Sequence, residues 1–464
     1  MDNIKTKTKT KCPTCGDTLI SLNTETGKLR CHSCRSELEH QKFEKTVTDI
    51  SQLEGIVIGQ GATAIPADTE DVLTFKCGAC AAEVIVDTSE SLQARCHWCR
   101  STLSVNHQIP NGAVPDKVLP FCTTKENAQG EIGKFVKKRQ FFAHPTFRKE
   151  FCTENVFGVY LPYMVIDVNA SAHFEGQGEI EISRYRVDST TYYEVDRYNV
   201  EREFDLIVGN LTIESNKDKL AKDSERTNNI VNAIKPFDMD NCVKWDANFM
   251  KGFSSQKRNV NVSDLRDVSI VKTKDIARHQ ILTTINQYSE RGVRWNSERL
   301  DIKGKQWKAA YLPIWLYSYR HKEVIHYVAA NGRNLKTMGS IPINWLKLIF
   351  FSLFGGGIPG GIIGGIVGGF IDEVHVYEPT WLFWTAIIIG FLIGMAAFCG
   401  LIESRYRNGD ARFAHEDEAN STMSNVKKSD IHAKHIEETT DSEIDGRNEM
   451  DIYYDTSSVG GLKE

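Results

Sequence analysis

No charge interrupts Leu348 to Ile371, a run of 24 residues, or Trp381 to Ile402, a run of 22. At about 1.5 Å of rise per residue, each run exceeds the roughly 30 Å hydrocarbon core of a bilayer, so the missing charge predicts two helical spans. A buried hairpin of a soluble core is the alternative. Only residues 372–380 separate the runs, and they carry Asp372, Glu373 and Glu378 but neither Lys nor Arg. Two spans joined so closely must run antiparallel. Arg333, Lys336 and Lys347 precede them and Arg405, Arg407 and Arg412 follow. Cationic flanks stay on the cytoplasmic side, so a two-span cell-membrane protein with both termini inside and an acidic outer turn is expected. Trp345, Trp381 and Trp384 stand where interfacial aromatics belong.

Other absences bear on chemistry. There is no G-x-x-x-x-G-K-[ST], H-E-x-x-H, G-x-S-x-G or EF-hand loop, so the common signatures of nucleotide, metalloprotease, serine-hydrolase and calcium sites are missing. Cys122, Cys152 and Cys242 are isolated thiols and His144 precedes a proline; each reads as a core or structural residue. No catalytic and no organic-cofactor residue is assigned, and an enzyme is not expected. No apolar stretch follows Met1, where Lys and Thr alternate up to Lys11. The internal hairpin is therefore expected to act as the membrane signal.

What the first span does contain is glycine. One row occupies 356, 360, 364 and 368, and a second occupies 357, 361, 365 and 369. Repeated small residues at four-residue spacing let another helix approach closely. Ala386, Gly390 and Gly394 offer a matching stripe on the second span, so the rows serve packing within the hairpin or between protomers. Pro359 predicts a bend.

Of 12 cysteines, eight fall into two equal arrays. Cys12, Cys15, Cys31 and Cys34 follow C-x2-C-x15-C-x2-C, and Cys77, Cys80, Cys96 and Cys99 repeat it. The flanks repeat too, since Arg30-Cys31-His32-Ser33-Cys34-Arg35-Ser36 matches Arg95-Cys96-His97-Trp98-Cys99-Arg100-Ser101. A two-residue gap curls the backbone into a knuckle that aims both sulfurs at one ion, and four thiolates close a tetrahedral site with no open position for chemistry. Two zinc ribbons, and two zinc ions per chain, are expected. His32 and His97 are surplus imidazoles, read as non-ligands.

Charge argues against a phosphate surface. Lys76, Arg95 and Arg100 in the second ribbon only balance Glu83, Asp87 and Glu90, whereas nucleic-acid binding calls for a basic excess. The Lys5, Lys7, Lys9 and Lys11 arm would suit anionic lipid or nucleic acid equally. Between the ribbons, Gly59-Gln60-Gly61-Ala62-Thr63-Ala64 imitates a dinucleotide fingerprint, but Pro66 stands where a helix should open.

The remainder divides by composition. Ribbon 1 is assigned to 10–38, a linker to 39–72, ribbon 2 to 73–105, an α+β domain to 110–342, the hairpin to 343–402 and a tail to 403–464. Val156 to Ile182 and Tyr192 to Glu214 predict strands. Asp264 to Arg291, free of Gly and Pro with Ile276, Ile281, Leu282 and Ile285 at helical spacings, predicts a helix. An echo runs through the domain: Pro120-Phe121 then Tyr160-Leu161-Pro162-Tyr163, and Pro236-Phe237 then Tyr311-Leu312-Pro313-Ile314. Such tokens suit a duplicated domain. The tail holds 15 acids against 8 bases and is expected to be mostly disordered, with Met450 to Tyr454 as a short partner motif or a plain end.

Cys96-His97-Trp98-Cys99-Arg100, Ile109 to Pro115, Leu119-Pro120-Phe121, Tyr311 to Tyr317 and Ala330-Asn331-Gly332-Arg333 together resemble bacterial TFIIB-type zinc-ribbon-containing membrane proteins. The resemblance covers roughly residues 73 to 345 and implies a membrane-anchored protein, sometimes labelled a primosomal protein or helicase. The missing phosphate loop argues against that label, and the duplicated ribbon and long tail depart from the pattern. Two function classes follow. One is a scaffold recruiting protein partners at the membrane in envelope maintenance, alongside scaffolds of the SPFH or PspA type, with Trp98 as its anchor. The other is a membrane-tethered nucleic-acid-binding or transcription-linked factor.

Overall fold

β-Branched and aromatic side chains suit a pleated, half-buried surface, and they become three long strands, Phe157–Val187, Thr190–Glu214 and Val293–His321. The computed structural model describes residues 12–17, 19–39, 49–66, 72–76, 83–88, 93–95, 102–104, 111–187, 190–216, 227–228, 231–288, 293–322, 324–374, 381–406, 425–437 and 445–447. The first long strand lies between the other two and pairs antiparallel with both, from Tyr163 opposite Glu214 to Val187 opposite Thr190, and from Phe157 opposite Leu316 to Gly178 opposite Val293. Beyond Gly178 the third strand stops. The hairpin of the first two continues without it as an arm with Ile182 and Tyr185 exposed.

Val324–Asn331 pairs antiparallel with the end of the third strand. The four principal strands are thus arranged symmetrically about the pair formed by the first and third. The echoed tokens meet at that centre, with Tyr160 opposite Pro313, Leu161 opposite Leu312 and Pro162 opposite Tyr311.

Two helices cover one face of the sheet. Lys125–Lys137, capped by Thr124, buries Ala128, Ile132, Phe135 and Val136. Val262–Ile281 opens with a capping box between Asn261 and Asp264 and buries Leu265, Ser269, Thr273, Ile276, Ala277 and Ile281, a stripe at three- and four-residue steps. Each fully buried apolar side chain contributes about 1.5 to 3 kcal/mol. The first helix packs on strands far later in sequence. Lys125–Lys137 packs on Val324–Asn331 and the third long strand, whereas Val262–Ile281 packs on the first and second. On the opposite face Val159, Leu161, Tyr163 and Val165 meet Phe237, Met239 and Cys242.

The second helix ends ten residues before the predicted Arg291. After Ile281 the chain makes a 3-10 turn at Leu282–Thr284, and Arg202 takes the Thr284 hydroxyl at 3.0 Å and its carbonyl at 2.9 Å. Those acceptors are supplied to a buried guanidinium on another strand. Leu282 is consequently exposed rather than in the core.

Part of the stretch read as a linker, Asp49 to Pro66, is built into the domain. Gly55–Ile58 lies parallel to Gly304–Trp307, and Asn169 donates to the carbonyls of Ser51 and Leu53. The amides of Gly61 and Ala309 both donate to the Asp116 carboxylate at 2.7 Å. A β-carbon on Gly61 would collide with the backbone of Pro115 and Asp116. That close approach accounts for the glycine-rich sequence.

Most of the tail lies outside the described residues, but the described part beyond Tyr406 is strand rather than disorder. Among its described residues, Val426–Lys428, His432–Glu437 and Asp445–Arg447 add as antiparallel strands to the outer edge of Thr190–Glu214. Strand addition satisfies backbone groups and needs little apolar content, so composition alone suggested disorder.

Trp345–Gly369 and Phe383–Tyr406 are long and apolar enough to cross a membrane. Helix Trp345–Ser352 passes through a π-helical turn at Leu353–Gly357 into Ile358–Val374, and Trp381–Tyr406 returns antiparallel. The wide turn immediately before Pro359 accommodates a residue that lacks an amide hydrogen. The first glycine row faces the second helix, for a β-carbon on Gly356, Gly360 or Gly364 would run into the carbonyl of Gly394, Gly390 or Ala386. In the second row a β-carbon on Gly357 would meet the Phe391 ring, but Gly361 and Gly365 have room and a β-carbon on Gly369 meets nothing within 4 Å. Gly360→Ala with Gly364→Ala is expected to weaken the hairpin by about 1 to 2 kcal/mol, whereas Gly369→Ala leaves it unchanged. Thermal melts in detergent would show it, and equal melts would refute the close-packing role of the first row.

The hairpin is clamped at its base. Phe142 N donates to Tyr406 Oη at 2.8 Å, Ile341 N donates to the Tyr406 carbonyl, and Arg139 Nε reaches the Arg405 carbonyl at 2.8 Å. Phe142 makes edge contacts with Phe351, Phe398 and Tyr406.

Candidate metal centre

The first cysteine array folds into two knuckles of the same design. Gly16 N donates to the Cys12 carbonyl at 2.8 Å, and Arg35 N donates to the Cys31 carbonyl at 3.0 Å. Both turn residues have positive φ, 74° at Gly16 and 61° at Arg35. The knuckles flank a small sheet of Ile20–Asn23, Lys28–Cys31 and Glu37–Leu38.

This brings the four sulfurs together. Cys12 and Cys34 lie 3.5 Å apart and Cys15 and Cys31 3.6 Å apart, with every ligand atom within 4.8 Å of the others. An ion with metal–sulfur bonds of about 2.3 Å needs sulfurs roughly 3.8 Å apart, so the set can hold one tetrahedral ion. The Ser36 hydroxyl lies 2.9 Å from the Cys34 sulfur and 3.4 Å from that of Cys12. Its hydrogen bond lowers the Cys12 and Cys34 thiols, whereas desolvation and the neighbouring sulfurs raise that of Cys15. Sequence reading passed over Ser36 because a lone serine beside a cysteine carries no signal. His32 turns away to Ser21, with Nε2 and Oγ 2.7 Å apart, in keeping with its reading as a non-ligand.

Cys77, Cys80, Cys96 and Cys99 lie outside the described residues, as do His97 and Trp98. The strands around them are described. Gln93–Arg95 pairs with Thr102–Ser104, and Val72–Lys76 pairs with Glu83–Asp87. Shifted by the sequence offset, Lys28–Cys31 and Glu37–Leu38 fall on Gln93–Arg95 and the start of Thr102–Ser104.

The first metal centre is seated in the domain. Cys12, Ile20, Leu22, Leu29 and Cys31 belong to the same buried cluster as Trp245, Phe249, Met250 and Phe121, and that cluster extends to Leu348 and Tyr406. Lys251 Nζ donates to the Ile20 carbonyl at 2.8 Å.

The isolated thiols do not assemble. Cys122 lies beside the ribbon, 4.0 Å from the Glu25 carbonyl, while Cys242 is buried on the far face and its thiol is pushed up to about 11 by that burial. His144 caps Pro145–Glu150 and packs against His321. One grouping had no sequence signal: His173, Glu201 and Glu203 bring ligand atoms within 4.8 Å of one another on neighbouring strands. Two of the three already have partners, since His173 lies 2.6 Å from Glu175 and Lys434 lies 2.8 Å from Glu201.

Comparison with protein-family models, curated proteins and solved structures finds no match.

Proposed function

We propose that this chain is a membrane-anchored zinc-ribbon scaffold that positions protein partners at the cytoplasmic face of a membrane, rather than a catalyst. The observation that carries the reading is the continuous buried cluster joining Cys31 to Tyr406. A metal centre packed into a domain, itself clamped to the base of two apolar helices, presents a fixed surface at a fixed place. A saturated four-thiolate site supplies rigidity and no open coordination position. In this reading both arrays bind zinc, the second presents Trp98 as a rigid aromatic anchor, and the resemblance to TFIIB-type zinc-ribbon membrane proteins points the same way.

The test joins topology to capture. A cysteine introduced at Val376 is expected to react with an impermeant reagent in intact cells, while one at Ser421 is protected. Trp98→Ala is expected to keep zinc content and membrane insertion but to lose the partners captured by the wild-type chain. Reversed labelling, unchanged capture, or turnover of a substrate by the purified protein would overturn the proposal.

A further inference from the structure

We propose that the outer edge of Thr190–Glu214, from Tyr198 to Asp205, is a slot for an extended basic segment of a partner protein, and that this chain's own tail occupies it in cis. The inference rests on the recruiting role above and names the chemistry of one partner.

The edge is equipped for more than backbone pairing. Arg202 is 2% exposed, and its guanidinium is held by the hydroxyl and carbonyl of Thr284. Its Nη1 still reaches outward to the Lys434 carbonyl of the tail at 3.1 Å. A buried donor preset by the helix end thus reads a main-chain carbonyl of whatever strand lies there, whatever its side chain.

Two further positions read side chains. The His435 ring lies 3.8 Å from the Tyr198 ring at 22°, and its Nδ1 is 2.7 Å from Tyr288 Oη. This is a seat for a flat ring with one polar edge. On the opposite face of the sheet Lys434 Nζ is 2.8 Å from Glu201, and His432 stands directly opposite Glu203. The slot therefore selects a cation facing Glu201, followed by a histidine or aromatic residue facing the two tyrosines.

The tail fits these features with little apolar support. Ile436 is 58% exposed and the side chains of His432 to His435 are exposed as well. The strand belongs to the same chain as its slot, so its binding is intramolecular and gains an effective concentration that holds a weakly binding strand in place. A partner segment with the same pattern and greater intrinsic affinity would displace it, as in other cases of strand addition.

The experiment uses the full chain in detergent micelles, with a fluorescent peptide carrying the sequence of residues 425–437 as probe and fluorescence anisotropy as readout. Lys434→Glu sets like charges together and is expected to free the slot, so that the peptide binds at least tenfold more tightly than to the wild-type chain. Adding Glu201→Lys to that variant re-forms the pair in cis and is expected to return peptide binding to the wild-type level. Tyr288→Ala in the Lys434→Glu chain should weaken the peptide without touching any charge. Equal binding by a scrambled peptide, or no gain with Lys434→Glu, would overturn the proposal. So would a wild-type dimer that dissociates on Lys434→Glu, because the tail would then be a clasp between copies. None of these readouts depends on zinc or on Trp98, so failure here leaves the scaffold reading standing.

Discussion

Cys31→Ser is expected to halve the zinc content, from two equivalents per chain to one, and to unfold the first ribbon. Cys31 is fully buried and supplies one of four sulfurs. The ribbon around it is a three-stranded sheet whose apolar core consists of Ile20, Leu22, Leu29 and Leu38. So small a core does not fold unaided, and a structural zinc ion contributes an apparent binding free energy of about 10 to 16 kcal/mol. Loss of the ribbon uncovers Trp245, Phe249 and Met250, which share its cluster. Melting of the middle domain should therefore fall as well, with Trp245 fluorescence reporting the exposure. Cys96→Ser is expected to remove the other equivalent. Two retained zinc ions in Cys31→Ser, with an unchanged melt, would show that the first array is not a metal site.

Asp167→Ala is expected to destabilise the domain by about 3 to 5 kcal/mol, the usual cost of breaking a buried ion pair from one side. Asp167 sits opposite an irregularity in the register, where Asn210 takes a φ of 58°. One carboxylate oxygen accepts the Asn210 amide at 2.8 Å, and the other lies 3.4 Å from Lys308 Nζ. Lys308 is nearly covered and burial already lowers its pKa. Removing the acid leaves that ammonium short of its counter-charge and the amide without its acceptor. The double variant Asp167→Ala, Lys308→Met should recover much of the loss, since an apolar chain of similar length asks for no partner. Denaturant melts of the two variants measure the difference, and a single variant within 1 kcal/mol of wild type would show the pair to be dispensable.

What could be read in the sequence was local. Cysteine spacing marked the knuckles of the first array, uncharged length marked the hairpin, and runs of β-branched and aromatic residues marked the first two long strands but not Val293–His321. The failures had distant causes. The Val262–Ile281 helix stops where Arg202, on another strand, requires acceptors. Gly61 is glycine because Asp116, 55 positions later, comes against it. The tail joins the sheet through main-chain groups, which every sequence possesses and none advertises. Composition could not separate two uses for the glycine rows, and geometry shows the first row packed within the hairpin.

The packing of the first helix on late strands also sets a schedule for synthesis. When Lys125–Lys137 leaves the ribosome, the strands it will cover, Val293–His321 and Val324–Asn331, are still some 160 residues from being made. At about 5 to 20 residues per second that is a wait of roughly 8 to 30 seconds with an apolar helix face uncovered. The next helix to emerge is Trp345–Ser352, the start of the hairpin. Closure of the core and completion of the two apolar helices therefore fall almost together. A nascent chain stalled before residue 293 would hold neither, and is a natural client for chaperones.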